Sequence, residues 1–183
     1  MDPLDIIYQY YRPESALAKK LIAHSRAVRD KALTIARRFA NAKPDLKLIA
    51  EAAMLHDIGI IKTFAGRIGC NGNLPYICHG VEGRKMLEHH GLPRHAMVCE
   101  RHVGVGITIR DIQKQRLALP VRDMVPVTLE EKIICYADKF FSKTNGTREK
   151  STDAVIAQLM PYGLDKVQRF KQWRRGFEQG EIV

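Results

Sequence analysis

The sequence predicts an all-α protein, a helical bundle with polar side chains enclosed in its core. Along most of the 183 residues, apolar side chains recur every three or four positions, which is the helical period. Strand-like alternation is scarce, apart from a short ambiguous run near residues 103–109. The composition, 45% hydrophobic and 27% charged, favours one folded domain over a disordered chain.

The first two predicted helices each place a histidine on the apolar face. The first runs roughly from Ser15 to Asn41, and its inward stripe comprises Leu17, Leu21, His24, Val28, Ile35 and Phe39. The second begins near Pro44, because proline suits a first helical turn. Its stripe comprises Ile49, Ala53, His56 and Ile60, and Gly59 allows the helix to end or bend.

The middle of the chain alternates loops with shorter helices. Glycine, asparagine and proline make residues 63–76 loop-like. A third helix is predicted from His79 to Gly91, and a fourth begins near Pro93 and carries His102 on its inner side. His89, His90 and His95 are interpreted as surface residues.

The last third of the chain begins with a connector and continues with helices. Gly104 and Gly106 form a loop, or let backbone N–H groups approach a phosphate. Thr128 and Glu131 have the spacing of a capping box, and the helix they open places Asp138 on its core face. Two further helices are predicted near residues 151–159 and 164–177, the second with core residues Val167, Phe170, Trp173 and Phe177.

The inward polar residues together suggest a metal site. They are His24, His56, Asp57, His102 and Asp138, with His79 at a helix start. A buried carboxylate without a partner is costly, and imidazoles with carboxylates suit a divalent transition metal. Each residue alone has a simpler explanation: a histidine can be a hydrogen-bonded core residue, and Asp138 can pair with Lys139, Arg26 or a helix terminus.

Three segments resemble the HD superfamily. Residues 53–59, Ala-Met-Leu-His-Asp-Ile-Gly, resemble its signature in the HDIG form. Residues 24–28 resemble the upstream histidine motif, and residues 136–139 resemble the downstream aspartate motif. The resemblance covers about residues 20–145. It implies a single HD domain over residues 1–183, a helical bundle with the metal site in its core and C-terminal helices at 151–178.

The resemblance also implies a ligand set. In HD proteins the residues at His24, His56, Asp57 and Asp138 hold one metal ion. Some HD proteins hold a second metal ion with two further histidines, and His79 and His102 match the positions of these ligands. This arrangement resembles the HD-type diadenosine tetraphosphate hydrolases and small uncharacterised HDIG proteins. The expected cofactor is therefore a divalent transition metal, Fe, Mn, Co, Ni or Zn, with two ions per chain.

The function implied is metal-dependent phosphohydrolysis of a nucleotide-like phosphoester or phosphoanhydride. Asp57 and Lys62 are the candidate catalytic residues, although Ile60 stands where a lysine often follows the HDIG glycine. The candidate phosphate-binding residues, each near a ligand in sequence, are Arg26, Arg84, Arg101 and Lys139. Alternatively, these basic side chains are solvated surface cations. The alternative functions for the protein are a diiron oxygenase and a sensor module with a structural metal.

The net charge of the chain limits which classes of binding partner are expected. A net charge of +10 fits either a solvated lysine-rich surface or a field that attracts a small anionic substrate such as a nucleotide. The absence of a dense basic run argues against a nucleic-acid-binding tail. Without a signal peptide or a stretch of ~18 apolar residues, a cytoplasmic protein with no membrane contact is expected. The four cysteines lack disulfide or zinc spacing, so reduced, buried thiols are expected.

Overall fold

The computed structural model describes residues 1–39, 41–144 and 147–181, and this part of the chain is mostly helical. Its α-helices are α1 Pro3–Tyr10, α2 Ala16–Ala36, α3 Leu46–Leu55, α4 His79–His89, α5 Pro93–Arg101, α6 Ile109–Gln115, α7 Leu129–Asp138, α8 Thr152–Leu159 and α9 Leu164–Gln179. Short 3₁₀ turns lie at Ile58–Lys62, Gly66–Ile68, Tyr76–Cys78 and Met160–Tyr162. Among the described residues, no helix combines the length and apolar character that a membrane crossing requires.

Side-chain caps fix where several predicted helices begin. The Ser15 hydroxyl accepts from the Ala18 N–H at the start of α2, and the Asp45 carboxylate accepts from the Leu48 N–H at the start of α3. The helix α2 ends at Ala36, earlier than the predicted Asn41. Ala40, residue 145 and residue 183, which fall within predicted ranges, lie outside the described residues.

The core forms where α2, α3 and α7 pack together and where α4 packs on α5. One apolar cluster joins α2, α3, α7, α8 and α9 and includes the fully buried Ile49 and Phe170. A second joins α1, α2, α3, α4 and α5 and includes the fully buried Leu21 and Leu87. Because each side chain of this size stabilises the fold by about 1.5–3 kcal/mol when buried, the helices that meet between the clusters are held rigidly.

A small sheet lies within the segment predicted as loop, so the all-α description is approximately right. The strands are β1 Thr63–Ala65, β2 Cys70–Asn71 and β3 Leu74–Pro75, in the order β2-β1-β3. Phe64 pairs antiparallel with Asn71, and Thr63 pairs parallel with Leu74. Strands of two or three residues are too short to show alternation, which explains why the sequence pattern did not reveal them.

Two short helices were not predicted, one ambiguous run is resolved and one predicted capping box is only half formed. At α1, Asp2 caps the Leu4 N–H, and at α6, Thr108 and Asp111 form a full capping box. The run near 103–109 forms only isolated bridges, such as Ile107 to Met124. At α7, Thr128 caps the Glu131 N–H, but the Glu131 carboxylate turns to the Val127 N–H, so the predicted capping box is only half formed.

Candidate metal centre

Six side chains converge between the helices α2, α3, α4, α5 and α7. His24 lies within α2, while the others lie at helix ends: His56 and Asp57 after α3, His79 at the start of α4, His102 after α5 and Asp138 at the end of α7. All six are buried, with at most 9% of any residue exposed. The structure therefore brings together all six residues predicted as metal ligands.

Three of the histidines are oriented by the backbone of their own turn. The Nδ1 atoms of His56, His79 and His102 lie 2.7, 2.6 and 2.7 Å from the carbonyl oxygens of Ala53, Tyr76 and Cys99, respectively. A carbonyl oxygen only accepts, so Nδ1 carries the proton and donates it. In a neutral ring the lone pair is then on Nε2, which points to the centre, as in metal-ligating histidines generally.

The first ligand group is His24, His56, Asp57 and Asp138, whose donor atoms all lie within 4.8 Å of one another. His24 Nε2 is 3.2 Å from Asp57 Oδ2 and 3.0 Å from Asp138 Oδ1, and His56 Nε2 is 3.0 Å from Asp57 Oδ2. Donor atoms that each bind one metal at about 2.0–2.2 Å lie roughly 3–3.5 Å apart. The spacing of the group fits a single divalent transition ion.

The second group is Asp57, His79 and His102. The Nε2 atoms of His79 and His102 each lie 3.4 Å from Asp57 Oδ1, and they lie 3.1 Å from each other. Asp57 thus directs Oδ2 to the first group and Oδ1 to the second. This is the arrangement of a carboxylate that bridges two cations.

Several atoms at the centre form no hydrogen bond among the described residues. They include His24 Nε2, His56 Nε2 and Asp57 Oδ1. Burying polar atoms without partners costs free energy, and burying a charge costs more. One cation in each of the two ligand groups would satisfy these atoms, so the donor set fits metal binding.

The electrostatics of the centre follow from two buried carboxylates. Although burial opposes ionisation, His56 and Lys143 hold the pKa of Asp57 well below its usual range. The pKa of Asp138 is likewise low, because Lys139 and the histidines offset its burial. Burial disfavours a charged His56, yet the carboxylates raise its pKa to about 9, whereas burial lowers the pKa of His79 to about 3. Both carboxylates are therefore ionised at neutral pH, as metal ligands must be.

Lys143 is a residue of the centre that the sequence did not predict. Its Nζ atom lies 2.5 Å from Asp57 Oδ2 and 5.9 Å from the centre of the Tyr76 ring. Lys143 follows the end of α7 in a non-helical stretch, where no periodicity indicates the direction of a side chain. The one available signal was its position five residues after Asp138.

The predicted basic residues take different positions. The Lys139 ammonium lies 2.7 Å from Asp138 Oδ2 and donates to the His102 carbonyl. Arg84 is paired with Glu88 and with the buried Glu100, and Arg101 is paired with Glu131, so both guanidinium groups already bind carboxylates. Arg26 and Lys62 are exposed.

Two cavities open at the centre. The larger, of about 580 Å³ and called here the phosphate cavity, is lined among others by Asp138, Lys139, Lys143, Arg67 and Lys150. The smaller, of about 330 Å³, is lined by Lys19, Lys20, Ala23, His24, Ser142, Lys143 and Thr144. Of the candidate basic residues, Lys139 alone lines either cavity. The Gly106 N–H already donates to the Val103 carbonyl and so is not free to bind a phosphate.

The remaining histidines and the cysteines lie outside the centre. His95 is buried beside Glu51, with Nε2 3.2 Å from Oε2, so its assignment to the surface was wrong. His95 lies in the first turn of α5, so the buried face of this helix already includes that turn. His90 bonds to the Tyr10 hydroxyl. All four cysteines are free and buried, as predicted.

Comparison with known proteins gives a family match and several relatives. The model of the HD domain family matches residues 21–142, more than half of the chain. An uncharacterised protein of Methanocaldococcus jannaschii is 33% identical over 78% of this chain and 76% of its own length. No solved structure matches.

Two other relatives carry the name tRNA (cytidine(56)-2'-O)-methyltransferase. The protein from Picrophilus torridus is 40% identical over 59% of this chain, and the protein from Thermoplasma volcanium is 32% identical over 88% of it. The chain spans 28% and 41% of the lengths of these two proteins, respectively. The similarity is therefore to a part of each of them.

Proposed function

The chain belongs to the HD domain family, and we propose that it is a metal-dependent phosphohydrolase. It cleaves a phosphoester or phosphoanhydride of a nucleotide-like substrate with metal-activated water. The observation that carries this proposal is the shared Asp57 carboxylate, whose two oxygens face two separate groups of buried donors. Two divalent transition metals are the proposed cofactors.

Separate residues would hold the two metal ions and orient the attacking water. His24, His56, Asp57 and Asp138 would hold one ion, and Asp57, His79 and His102 a second. A bound divalent metal lowers the pKa of water to about 7 and so supplies a nucleophile at neutral pH. Asp57, which faces both groups, orients that water.

Lysines of the phosphate cavity bind the phosphoryl group. The cavity is lined by the proposed ligand Asp138 and by Lys139, Lys143, Lys150 and Arg67. Their charges oppose the negative charge on phosphoryl oxygens. We propose these four residues as the phosphate contacts in preference to Arg84 and Arg101, which line neither of the two cavities at the centre. The exposed Lys62 and Arg26 line neither cavity.

Methyl transfer is not proposed, because the chain spans less than half of each relative named as a tRNA methyltransferase. Those names do suggest one class of substrate. A phosphodiester or terminal phosphate of RNA belongs in the substrate screen beside mononucleotides and dinucleoside polyphosphates.

The first test is the number of metals per chain, measured by mass spectrometry after anaerobic purification. We expect about two in the wild type, about one in His79→Ala and His102→Ala, and about two in His95→Ala, a control that removes a buried histidine outside the centre. The same preparations are assayed on bis(p-nitrophenyl) phosphate and on the nucleotide panel, where Asp57→Asn should reduce activity to background. One metal that neither substitution changes would rule out the dinuclear site. Retained iron with oxygen uptake, and no ester hydrolysis, would favour the diiron oxygenase.

A further inference from the structure

An apolar pocket, distinct from the two cavities at the centre, adjoins the phosphate cavity. It has a volume of about 290 Å³, and its walls include Val103, Val105, Ile107, Leu117, Leu159 and Tyr162. Leu159 lines both spaces, and Tyr76 lines the phosphate cavity while its neighbour Ile77 lines the apolar pocket. The two spaces therefore adjoin at Leu159.

An ion pair between Lys166 and Asp111 lies in the wall of the apolar pocket. Lys166, which is 5% exposed, places its ammonium 2.5 Å from Asp111 Oδ2 and 3.4 Å from the Gly106 carbonyl oxygen. The Arg169 guanidinium donates to the Val105 carbonyl from the same helix. These contacts hold the 103–107 loop in place, so the pocket is formed before any ligand binds.

The loop itself is shaped by glycine. Gly104 has φ +63° and Gly106 has φ +93°, values that favour glycine over other residues. At Gly104 a Cβ atom would meet nothing within 4 Å. The backbone therefore leaves space at this wall.

Two side chains at the apolar pocket are available to a ligand. Tyr162, 62% exposed, presents an aromatic ring that stacks on no other ring among the described residues. Gln115, exposed at the end of α6, has an amide with no hydrogen bond in that part of the chain. An aromatic face and a free amide are the groups that proteins use to stack on a base and to bind its edge.

We propose that the apolar pocket binds the base of a nucleotide whose phosphate lies in the phosphate cavity. This inference rests on the proposed function and names its substrate class: a phosphate ester that carries a single planar heterocycle. Tyr162 stacks on the heterocycle, and Gln115 binds its edge. Both residues are specificity determinants, and neither touches the reacting phosphorus.

The test is calorimetric binding to the metal-loaded protein. The ligands are the four common ribonucleoside 5′-monophosphates and ribose 5-phosphate, which lacks a base. We expect at least one nucleotide to bind about tenfold or more tightly than ribose 5-phosphate. Tyr162→Ala and Gln115→Ala should reduce that advantage without changing the affinity for ribose 5-phosphate. Tyr8→Ala, which removes an exposed tyrosine on α1, should retain it.

The outcomes separate this inference from the proposed function. If no nucleotide binds more tightly than ribose 5-phosphate to a protein that hydrolyses bis(p-nitrophenyl) phosphate, the base pocket is wrong and the phosphohydrolase stands. If Tyr162→Ala weakens all five ligands equally while its thermal unfolding is unchanged, the base pocket is also wrong. The protein could also lack hydrolase activity and still bind a nucleotide more tightly than ribose 5-phosphate. If Tyr162→Ala abolishes that difference, the result supports the base pocket and not the phosphohydrolase.

Discussion

Asp57 is the residue that joins the two halves of the metal centre. Its Oδ2 atom lies 3.0 Å from His56 Nε2, and its Oδ1 atom lies 3.4 Å from the Nε2 atoms of His79 and His102. Only an ionised carboxylate offers two acceptor atoms that diverge in this way. Asp57 would therefore be the ligand shared by the two proposed ions.

Asp111 provides a prediction at the residue scale, on the dependence of stability on pH. Although burial opposes ionisation, Lys166 and the Thr108 N–H and hydroxyl lower the pKa of this carboxyl. Because the native pKa lies below the unfolded value, the carboxylate stabilises the fold above about pH 4, and this contribution is lost as the pH falls through the native pKa. Asp111→Asn should lower the free energy of unfolding by about 1 kcal/mol at pH 7 and by less at pH 3.

Urea unfolding at the two pH values measures this difference. Asp5→Asn, at an exposed carboxyl in the first turn of α1, serves as the control and should change little at either pH. An equal loss in Asp111→Asn at pH 7 and pH 3 would mean that the ionised carboxylate is not the source of the stabilisation.

Single residues differed in how far the sequence predicted them. His24 and His56 were found because they occupy apolar stripes, and burial follows directly from such a position. Arg84 and Arg101 are close to ligands in sequence but bind carboxylates elsewhere, because helix neighbours diverge by about 100°. Lys143 lies beyond a helix, where sequence position implies no direction.

At the scale of elements, seven of the nine helices among the described residues were predicted, whereas α1, α6 and the short strands were not. The helices α2 and α3 carry enough turns to show a periodic stripe, and each has a capping side chain. The seven residues of α6 span only two turns, and its stability comes from the Thr108–Asp111 capping box rather than from an apolar stripe. Such a helix leaves little trace in a hydrophobic pattern.

The prediction at the scale of elements concerns Gly59, where the turn after α3 packs against α4. A Cβ atom there would lie 2.1 Å from the His79 carbonyl oxygen and 2.3 Å from the Gly83 nitrogen, so any larger residue must push α4 away from the turn after α3. Gly59→Ala should destabilise the fold by about 1–3 kcal/mol or more and lower Tm by roughly 5–10 °C. Because α4 begins with His79, the second metal should be lost as well.

Thermal unfolding and metal content of Gly59→Ala are measured beside those of Gly66→Ala. A Cβ atom at Gly66 meets nothing within 4 Å, and its φ is not positive, so this control should leave both properties unchanged. Equal behaviour of the two variants would show that the turn and α4 can separate at little cost. The sequence indicated only that Gly59 lets a helix end, since the partner it approaches is distant in the chain.

At the scale of the whole molecule, the charged residues that line the two cavities at the centre are mostly cationic. Six cationic residues line the two cavities that open there: Lys19, Lys20, Arg67, Lys139, Lys143 and Lys150. Asp138, itself a proposed ligand, is the one carboxylate among the residues that line them. The net charge of +10 left open whether the cations are dispersed or directed at a substrate. Their placement favours a field that draws an anion toward the metal ligands.

This field predicts that KM for an anionic substrate depends on salt. The distance over which charges act falls from about 10 Å at 0.1 M to about 3 Å at 1 M ionic strength, so KM should rise severalfold over that range while kcat changes little. Lys150→Ala should raise KM at low salt and weaken the salt dependence. Lys47→Ala alters the net charge equally, but Lys47 lines a separate depression with Asp45 and Glu51, so its KM should stay near that of the wild type. If both variants shift KM by the same factor, the attraction comes from the net charge of the protein and not from the cavity.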